Sequence, residues 1–126
     1  TPHDGEYVML HGGPVGNDRI VAARRLAEET GCVVLLKGPA TVVAEPGGRV
    51  LVVTAGDERL ATAGTGDVLA GIIGALLAAG LKPLRAAAAG AWLHGQAAAL
   101  APAQGMVAGD ICGHLPEVLR ALGDHR

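Results

Sequence analysis

Apolar residues recur at helical spacing in the segment that follows residue 17. Asn17 or Asp18 is placed to cap this helix at its start, and Gly31 is a typical stop at its end. The apolar positions that share one face are Ile20, Ala23, Leu26 and Ala27. The pattern therefore predicts an amphipathic helix that packs its small apolar face on another layer.

Two kinds of strand pattern come next. The continuous aliphatic run Cys32–Leu36 predicts a strand that is covered on both faces, as in a parallel sheet. Two further β runs, Thr41–Ala44 and Val50–Thr54, flank the turn sequence Glu45–Arg49, which contains Pro-Gly-Gly. This arrangement predicts a hairpin.

The second half of the chain is predicted to be helical. The predicted segments are a helix from Asp67 to Ala79 with Gly80 as its stop, a helix from Pro83 to about Leu100, a short helix near Gly109, and a last helix to Leu122 with Pro116 in its first turn. Helices combined with a small set of strands predict an α/β layer architecture.

The helices from Asp67 onward carry apolar residues nearly all round, so they need cover on every side. Three or four strands are too little sheet to provide it. We therefore expect residues 1–126 to be part of a larger domain, or to be completed by another chain. The alternative is a globular monomer with a small sheet.

Composition and charge exclude several classes of protein. The chain has 126 residues, of which 50% are hydrophobic and 17% charged, so it is not an intrinsically disordered polypeptide. The net charge is −2 and the densest basic pair is Arg24-Arg25, which argues against binding of nucleic acid. The longest uncharged apolar run, Val68–Leu81, has 14 residues, and a membrane span needs about 18 to 20. Cys32 and Cys112 match no zinc or disulfide pattern and are expected to be buried thiols of a cytoplasmic protein.

The stretch Ala61–Asp67 carries the clearest chemical signal. Gly64 and Gly66 permit a tight turn with inward-pointing amides, Thr65 adds a hydroxyl, and a helix starts directly afterwards. Free amides and the positive end of a helix dipole then face one space, which suits a phosphate. A P-loop and a dinucleotide fingerprint are both absent from the sequence.

Asp67 stands beside this predicted anion site, where its carboxylate would repel a phosphate. It is suited to act as a general base for a substrate hydroxyl next to that phosphate, as phosphoryl transfer requires. The alternative is that Asp67 merely caps the helix. Spacing alone leaves both interpretations open.

Two weaker signals complete the set. Lys37 follows the predicted strand at its carboxyl end, where open α/β sheets bind ligands, and Gly38 permits close backbone approach. The alternative is an ordinary turn with a solvated lysine. His3 is suited to donate to a substrate carbonyl or phosphate, although a histidine in such a position is more often simply solvated.

Several ordered segments together resemble a known family. The stretches concerned are TPHDGE at 1–6, VLLKGPAT at 34–41, ATAGTGDVL at 61–69, the following helix at 71–81, His94-Gly95, and AGDI at 108–111. They resemble TPHPGE, VVLKGAxT, ATGGSGDVL, GIIaaLLAQGL, HG and ASDI of the ribokinase-like NAD(P)H-hydrate dehydratase family. The match covers nearly the whole chain and corresponds to the C-terminal half of the family's domain. The chain departs from the family pattern at Asp4, which replaces proline, at Ala63, which replaces glycine, and at 57–60, where DERL replaces NPGM.

The resemblance implies a fold and a reaction. The fold would be a ribokinase-like three-layer sandwich, of which residues 1–126 form the C-terminal portion. Enzymes of this family repair NADH or NADPH whose nicotinamide ring has taken up water at C6. With ADP as co-substrate they phosphorylate the hydroxyl and eliminate phosphate, which leaves NAD(P)H and AMP.

The resemblance also assigns roles to residues. Asp67 would be the catalytic base and contact the substrate together with His3. The nucleotide would be bound by Lys37, Gly38, Pro39, Ala40, Thr41, Gly64, Thr65 and Gly66. Mg²⁺ would accompany the phosphates, with no protein ligand identified, and the implied assembly is a cytoplasmic homotetramer. The competing hypotheses are a small-molecule kinase of the same superfamily, acting on hydroxymethylpyrimidine or a sugar, and a non-catalytic nucleotide-binding module.

Overall fold

The computed structural model describes residues 1–124. Along these residues the chain forms helices on either side of one small sheet. The elements are α1 (Asp4–His11), α2 (Arg19–Thr30), β1 (Val34–Leu36), β2 (Thr41–Ala44), β3 (Val50–Val53), a 3₁₀ turn (Glu58–Ala61), α3 (Thr65–Ala78), α4 (Pro83–Leu100) and α5 (Ala108–Gly123).

The three strands form one antiparallel sheet in the order β1-β2-β3. Leu35 pairs with Val43, and Val43 pairs with Leu51. The predicted hairpin is confirmed as β2 and β3. The first strand is shorter than the predicted Cys32–Leu36: β1 begins at Val34, and its three residues are buried as expected, whereas Cys32 is exposed. The pairing of β1 with β2 is antiparallel, however, because the hairpin folds back directly beside it.

Alternation of side chains along the strands separates two cores. Val34 and Leu36 face α1 and α2 in a cluster that includes Tyr7 and Leu26. Leu35 faces the opposite side and packs in a cluster formed with α3 and α4. A third cluster lies among α3, α4 and α5. The chain is thus an α/β structure with helices on both faces of the sheet.

Small residues let the helices approach closely, as the alanine-rich composition predicts. A Cβ atom at Gly90 of α4 would lie 2.6 Å from Cγ1 of Ile73 on α3. Any side chain at this position would have to separate the two helices. Within residues 1–124 no helix is long and apolar enough to cross a membrane.

The sequence-based boundaries are wrong in three places. Helix α1 was not predicted, because its apolar residues are consecutive in the sequence and do not recur at helical spacing, and only Tyr7 among them is buried. Helix α3 begins at Thr65, two residues before the predicted start at Asp67. The predicted short helix and last helix are one helix, α5, with Pro116 inside it. Pro116 removes one backbone hydrogen bond, and its exposed position leaves the freed carbonyl of Cys112 open to water.

Both cysteines are exposed, which corrects the expectation that they are buried. Cys32 precedes β1 and Cys112 lies on the outer face of α5. The hydrophobic character of cysteine favours burial only where the backbone places it on an inner face.

Several large apolar side chains are exposed on α1, β3, α4 and α5. Met9 is 86% exposed and Leu10 is 62% exposed on α1, and Val52 of β3 is 51% exposed. Others lie on the outer faces of the last two helices, namely Trp92, Leu100, Leu119 and Leu122. Exposed apolar patches of this kind mark surfaces that pack against something else.

We therefore expect residues 1–126, expressed alone, to aggregate or to unfold without a cooperative transition, because the exposed apolar surface has no partner. Thermal unfolding followed by circular dichroism, combined with light scattering, measures this. A soluble monomer with a sharp two-state transition would contradict it.

Candidate functional site

The loop before α3 is shaped by the buried Thr65. Its hydroxyl lies 2.6 Å from the carbonyl oxygen of Leu60 and 2.8 Å from that of Thr62, and it donates to these carbonyls. Gly64, the residue before the helix, has a φ of 87°, which favours glycine. Thr65 thus uses its hydroxyl proton inside the loop, so any contact with a phosphate has to come from the backbone.

The first turn of α3 has no side-chain cap. The N–H of Thr65 donates to Thr62 and that of Val68 to Gly64, both within the loop and first turn. The amides of Gly66 and Asp67 lie between them and belong to the group that lacks partners at any helix start. They are therefore available to an anion.

Asp67 does not cap the helix. It is the third residue of α3, its side chain is exposed, and within residues 1–124 it makes no hydrogen bond or ion pair. The capping alternative is excluded by this geometry. The Asp67 carboxylate is therefore free to meet a ligand at the start of the helix, and its role as a general base stays a prediction.

Lys37 reaches this loop from the end of β1. Its ammonium nitrogen lies 3.3 Å from the place that a Cβ atom at Gly66 would occupy. It also lies 3.7 Å from Oε2 of Glu6, a carboxylate of α1. The strand and the helix start, which are far apart in the sequence, thus meet at Lys37. The interpretation of Lys37 as a solvated turn lysine is excluded.

Three charged side chains meet near the start of α3, namely the Lys37 ammonium, the Glu6 carboxylate and the exposed Asp67 carboxylate. An ammonium group at a helix N-terminus adds to the positive end of the helix dipole, which is unfavourable unless an anion is present. Glu6 supplies part of the compensation, and the backbone N–H of His3 holds the pKa of Glu6 below its usual value, so the carboxylate stays charged. The Lys37 ammonium and the free amides of Gly66 and Asp67 are the groups here that attract a phosphate, whereas the Asp67 carboxylate opposes it.

His3 has a structural role in addition to the one predicted. Its Nδ1 accepts a hydrogen bond from the N–H of Glu6, while the carboxylate of Glu6 accepts one from the N–H of His3. This reciprocal pair is a capping box for α1. Because Nδ1 is an acceptor, the neutral ring carries its proton on Nε2, which lies 3.7 Å from Oε1 of Glu6.

The other predicted contact residues lie in the connection between β1 and β2. Gly38 and Pro39 are exposed, Ala40 and Thr41 are half-buried, and Thr41 begins β2. They form an open surface next to Lys37. Within residues 1–124 no cluster of three or more metal-ligating side chains exists.

His94 was quoted in the resemblance but was given no role, and the structure shows that it belongs to this region. It is 5% exposed in α4, and its Nε2 atom is buried without a hydrogen-bond partner in the described part of the chain. Burial lowers the pKa of His94, the backbone of Thr65 acts in the opposite direction, and the charge of Lys37 lowers it further. No local pattern marks a histidine on an alanine-rich helix as special.

The stability of the complete protein should therefore fall as the pH drops below about 6.5, the usual histidine value. Below this pH the His94 side chain is protonated in the unfolded chain but stays neutral in the folded chain, because its pKa is lowered there. The free energy of unfolding therefore decreases as the pH falls, and it is unaffected by His94 at higher pH. Urea midpoints between about pH 7.5 and about pH 5.5 measure this. His94→Gln should weaken the dependence, whereas His114→Gln on the surface of α5 should preserve it. An unchanged slope in His94→Gln would contradict the assignment.

The fold and the loop together define a ribokinase-like protein. A structure of a ribokinase-like superfamily protein from Enterococcus faecalis matches with a TM-score of 0.77 and 30% identity, over 95% of this chain and 43% of that one. The family model described as NAD(P)H-hydrate dehydratase matches residues 1–119. The chain belongs to this family.

Individual relatives agree with this membership. The bifunctional NAD(P)H-hydrate repair enzyme Nnr of Mycobacterium leprae is 53% identical over 82% of this chain and 22% of its own length. The ADP-dependent (S)-NAD(P)H-hydrate dehydratase of Neisseria meningitidis is 44% identical over 97% of this chain and 43% of its own. The ADP/ATP-dependent NAD(P)H-hydrate dehydratase of Bacillus subtilis, co-crystallised with ATP and Mg²⁺, matches with a TM-score of 0.89 and 32% identity. That match covers 95% of this chain and 47% of the other. The chain therefore spans less than half the length of these relatives.

Proposed function

We propose that the complete protein dehydrates hydrated NADH or NADPH at the expense of ADP. The observation that carries this proposal is the meeting of the Lys37 ammonium with the uncapped start of α3, beside the exposed carboxylate of Asp67. The Lys37 ammonium and the start of α3 attract a phosphate, and the Asp67 carboxylate accepts a proton. Family membership then supplies the substrate class.

The chemistry follows from this arrangement. Lys37 and the amides of Gly66 and Asp67 bind the terminal phosphate of the nucleotide. Asp67 removes the proton from the hydroxyl at C6, and the oxygen attacks the terminal phosphorus of ADP while AMP leaves. The C–O bond then breaks, inorganic phosphate departs with the oxygen, and the ring returns to the dihydronicotinamide by losing a proton.

Thr65 and Gly64 hold the loop in shape, and residues 38–41 contact the nucleotide. Nε2 of His3 donates to the hydrated dinucleotide. Mg²⁺ would be held chiefly by the substrate phosphates, because the described residues contain no cluster of three or more metal-ligating side chains. It would supply charge neutralisation on the phosphates.

We further propose that residues 1–126 form the C-terminal part of one ribokinase-like domain, and that another stretch of the same protein covers the exposed apolar surface of α1 and β3. The homotetramer implied by the resemblance would need an apolar contact surface, and the groove of about 300 Å³ between α4 and α5, lined in part by Trp92, Leu100 and Leu122, is a candidate for it. Analytical ultracentrifugation tests this assembly. The substrates are soluble metabolites of the cytoplasm, where we place the activity.

The direct test is incubation of the complete protein with hydrated NADH and ADP, while the near-ultraviolet absorbance of reduced nicotinamide is followed. The absorbance should return, and AMP and phosphate should form in equal amounts. Parallel reactions with ATP decide which nucleotide is preferred. If absorbance does not return and the protein instead phosphorylates hydroxymethylpyrimidine or a sugar, it is a kinase of the same superfamily. Nucleotide binding without turnover of any substrate would indicate a binding module.

A further inference from the structure

A single guanidinium group joins three segments of the chain behind the candidate site. Arg19, the first residue of α2, donates from Nη1 and Nη2 to the two carboxylate oxygens of Asp4 at 3.1 and 2.9 Å. Nη2 also donates to the carbonyl oxygen of Lys37 at 2.6 Å. A bidentate contact between a guanidinium and a carboxylate fixes the orientation of the two groups as well as their distance.

The same guanidinium packs against the backbone of Gly38. A Cβ atom at Gly38 would lie 2.5 Å from Nη2 of Arg19 and 2.9 Å from its Cζ. A side chain at position 38 would therefore displace the Arg19 guanidinium from its contacts with Asp4 and Lys37. Within residues 1–124 the Nε atom of Arg19 is buried without a hydrogen-bond partner, so the guanidinium makes its hydrogen bonds through Nη1 and Nη2.

The backbone of Lys37 is consequently held from both sides. Its N–H donates to the carbonyl of Pro2 at 2.9 Å, and its carbonyl accepts from Arg19. Both partners lie outside the sheet. The Lys37 backbone, from which the side chain extends towards Gly66, is thus held by the segment before α1 and by the first residue of α2.

Asp4 makes this arrangement a particular property of the chain, since the family segment quoted above has proline there. Proline suits the first position of a helix, but it offers no carboxylate. Asp4 occupies the first position of α1 and gives Arg19 a charged partner. The start of α1 thus loses the fixed backbone angle of a proline and gains an ion pair between Asp4 and Arg19 of α2.

We propose that Arg19 and Asp4 act as a clamp that positions Lys37 and Gly38 for the terminal phosphate of the nucleotide. Arg19 and Asp4 act through the backbone of Lys37 and Gly38, so we assign them as positioning residues. The inference rests on the proposed function, because it assumes that Lys37 and Gly38 meet a nucleotide. It adds which side chains give them their orientation.

The test measures binding of ADP to the complete protein by isothermal titration calorimetry, at a temperature where circular dichroism shows each variant folded. Arg19→Met should weaken binding roughly 10-fold to 100-fold, as expected for losing hydrogen bonds of a charged group. Arg19→Lys should recover only part of the loss, because one ammonium cannot reach the carboxylate and the carbonyl together. Arg24→Met is the matched control: Arg24 also lies on α2 and donates to a carbonyl, that of Gly48 in the hairpin turn. It should bind ADP as the wild type does.

A second variant keeps the test decisive if Arg19→Met does not fold. The side chain of Asp4 is 61% exposed, so Asp4→Asn should fold normally and weaken ADP binding in the same direction by a smaller factor. If the two residues act as one clamp, the double variant should bind no more weakly than Arg19→Met alone.

Folded variants that bind ADP as tightly as the wild type, or effects that simply add, would overturn the clamp while leaving the proposed function intact. A wild-type protein that binds neither ADP nor ATP would overturn the proposed function itself, and the clamp with it.

Discussion

Replacing Asp67 by asparagine should reduce kcat of the complete protein by about 10²-fold to 10⁴-fold, the usual contribution of a positioned general base. Asparagine has nearly the same shape but cannot accept the hydroxyl proton. The KM for ADP should change little or fall, because a carboxylate that repels the phosphate is gone. Steady-state kinetics with hydrated NADH and ADP measure both quantities.

Folding should survive this substitution. The side chain of Asp67 makes no contact that an asparagine would break within residues 1–124, and only its interaction with the helix dipole is lost, at a cost of up to about 1 kcal/mol. Asp110 provides a matched control, since it is also the third residue of its helix. Its carboxylate accepts a hydrogen bond from the N–H of Val107 at 2.8 Å. Asp110→Asn should therefore keep its activity, and equal losses in both variants would contradict a special role for Asp67.

Replacing Lys37 by methionine should lower kcat/KM for ADP by about 10²-fold to 10³-fold, the size of effect seen when a preorganised donor to a developing charge is removed. Methionine fills similar space, so the loss reports the charge. The ammonium lies beside Gly66 at the start of α3, where its attraction for a phosphate adds to that of the free amides.

The chain has one other lysine, Lys82, which is exposed before α4 and serves as the control. Lys82→Met should leave the kinetics unchanged. The difference in kcat/KM between the wild type and Lys37→Met should become smaller at high salt, because salt screens the attraction between the Lys37 ammonium and the phosphate in the wild type. A Lys37→Met enzyme with the wild-type KM for ADP and the wild-type kcat would show that the phosphate lies elsewhere.

Local signals predicted those parts of the fold that local interactions determine. Asp18 caps α2 through its side chain and Gly31 ends it, as the sequence indicated. The hairpin follows from its turn residues. Helix α1 was not predicted because its apolar face is mostly exposed. Helix α5 was predicted as two helices because it contains Pro116, and a proline within a helix is tolerated only where the freed carbonyl meets water.

The glycines of the loop and the resemblance to the family predicted which residues form the candidate site. They did not predict how these residues are arranged in space. Gly64 and Gly66 mark a turn before a helix, and that is a local property. The approach of Lys37 to Gly66, the burial of His94 beside the loop and the contacts of Arg19 each join residues distant in sequence. Only the packing of the layers brings them together, so no spacing rule reveals them.

A crystal structure of the complete protein with ADP tests the central claim most directly. The terminal phosphate should lie within hydrogen-bond distance of the amides of Gly66 and Asp67 and of the Lys37 ammonium, with the Asp67 carboxylate open towards the acceptor side. A diphosphate bound away from the start of α3, with the Gly66 amide free, would contradict the account.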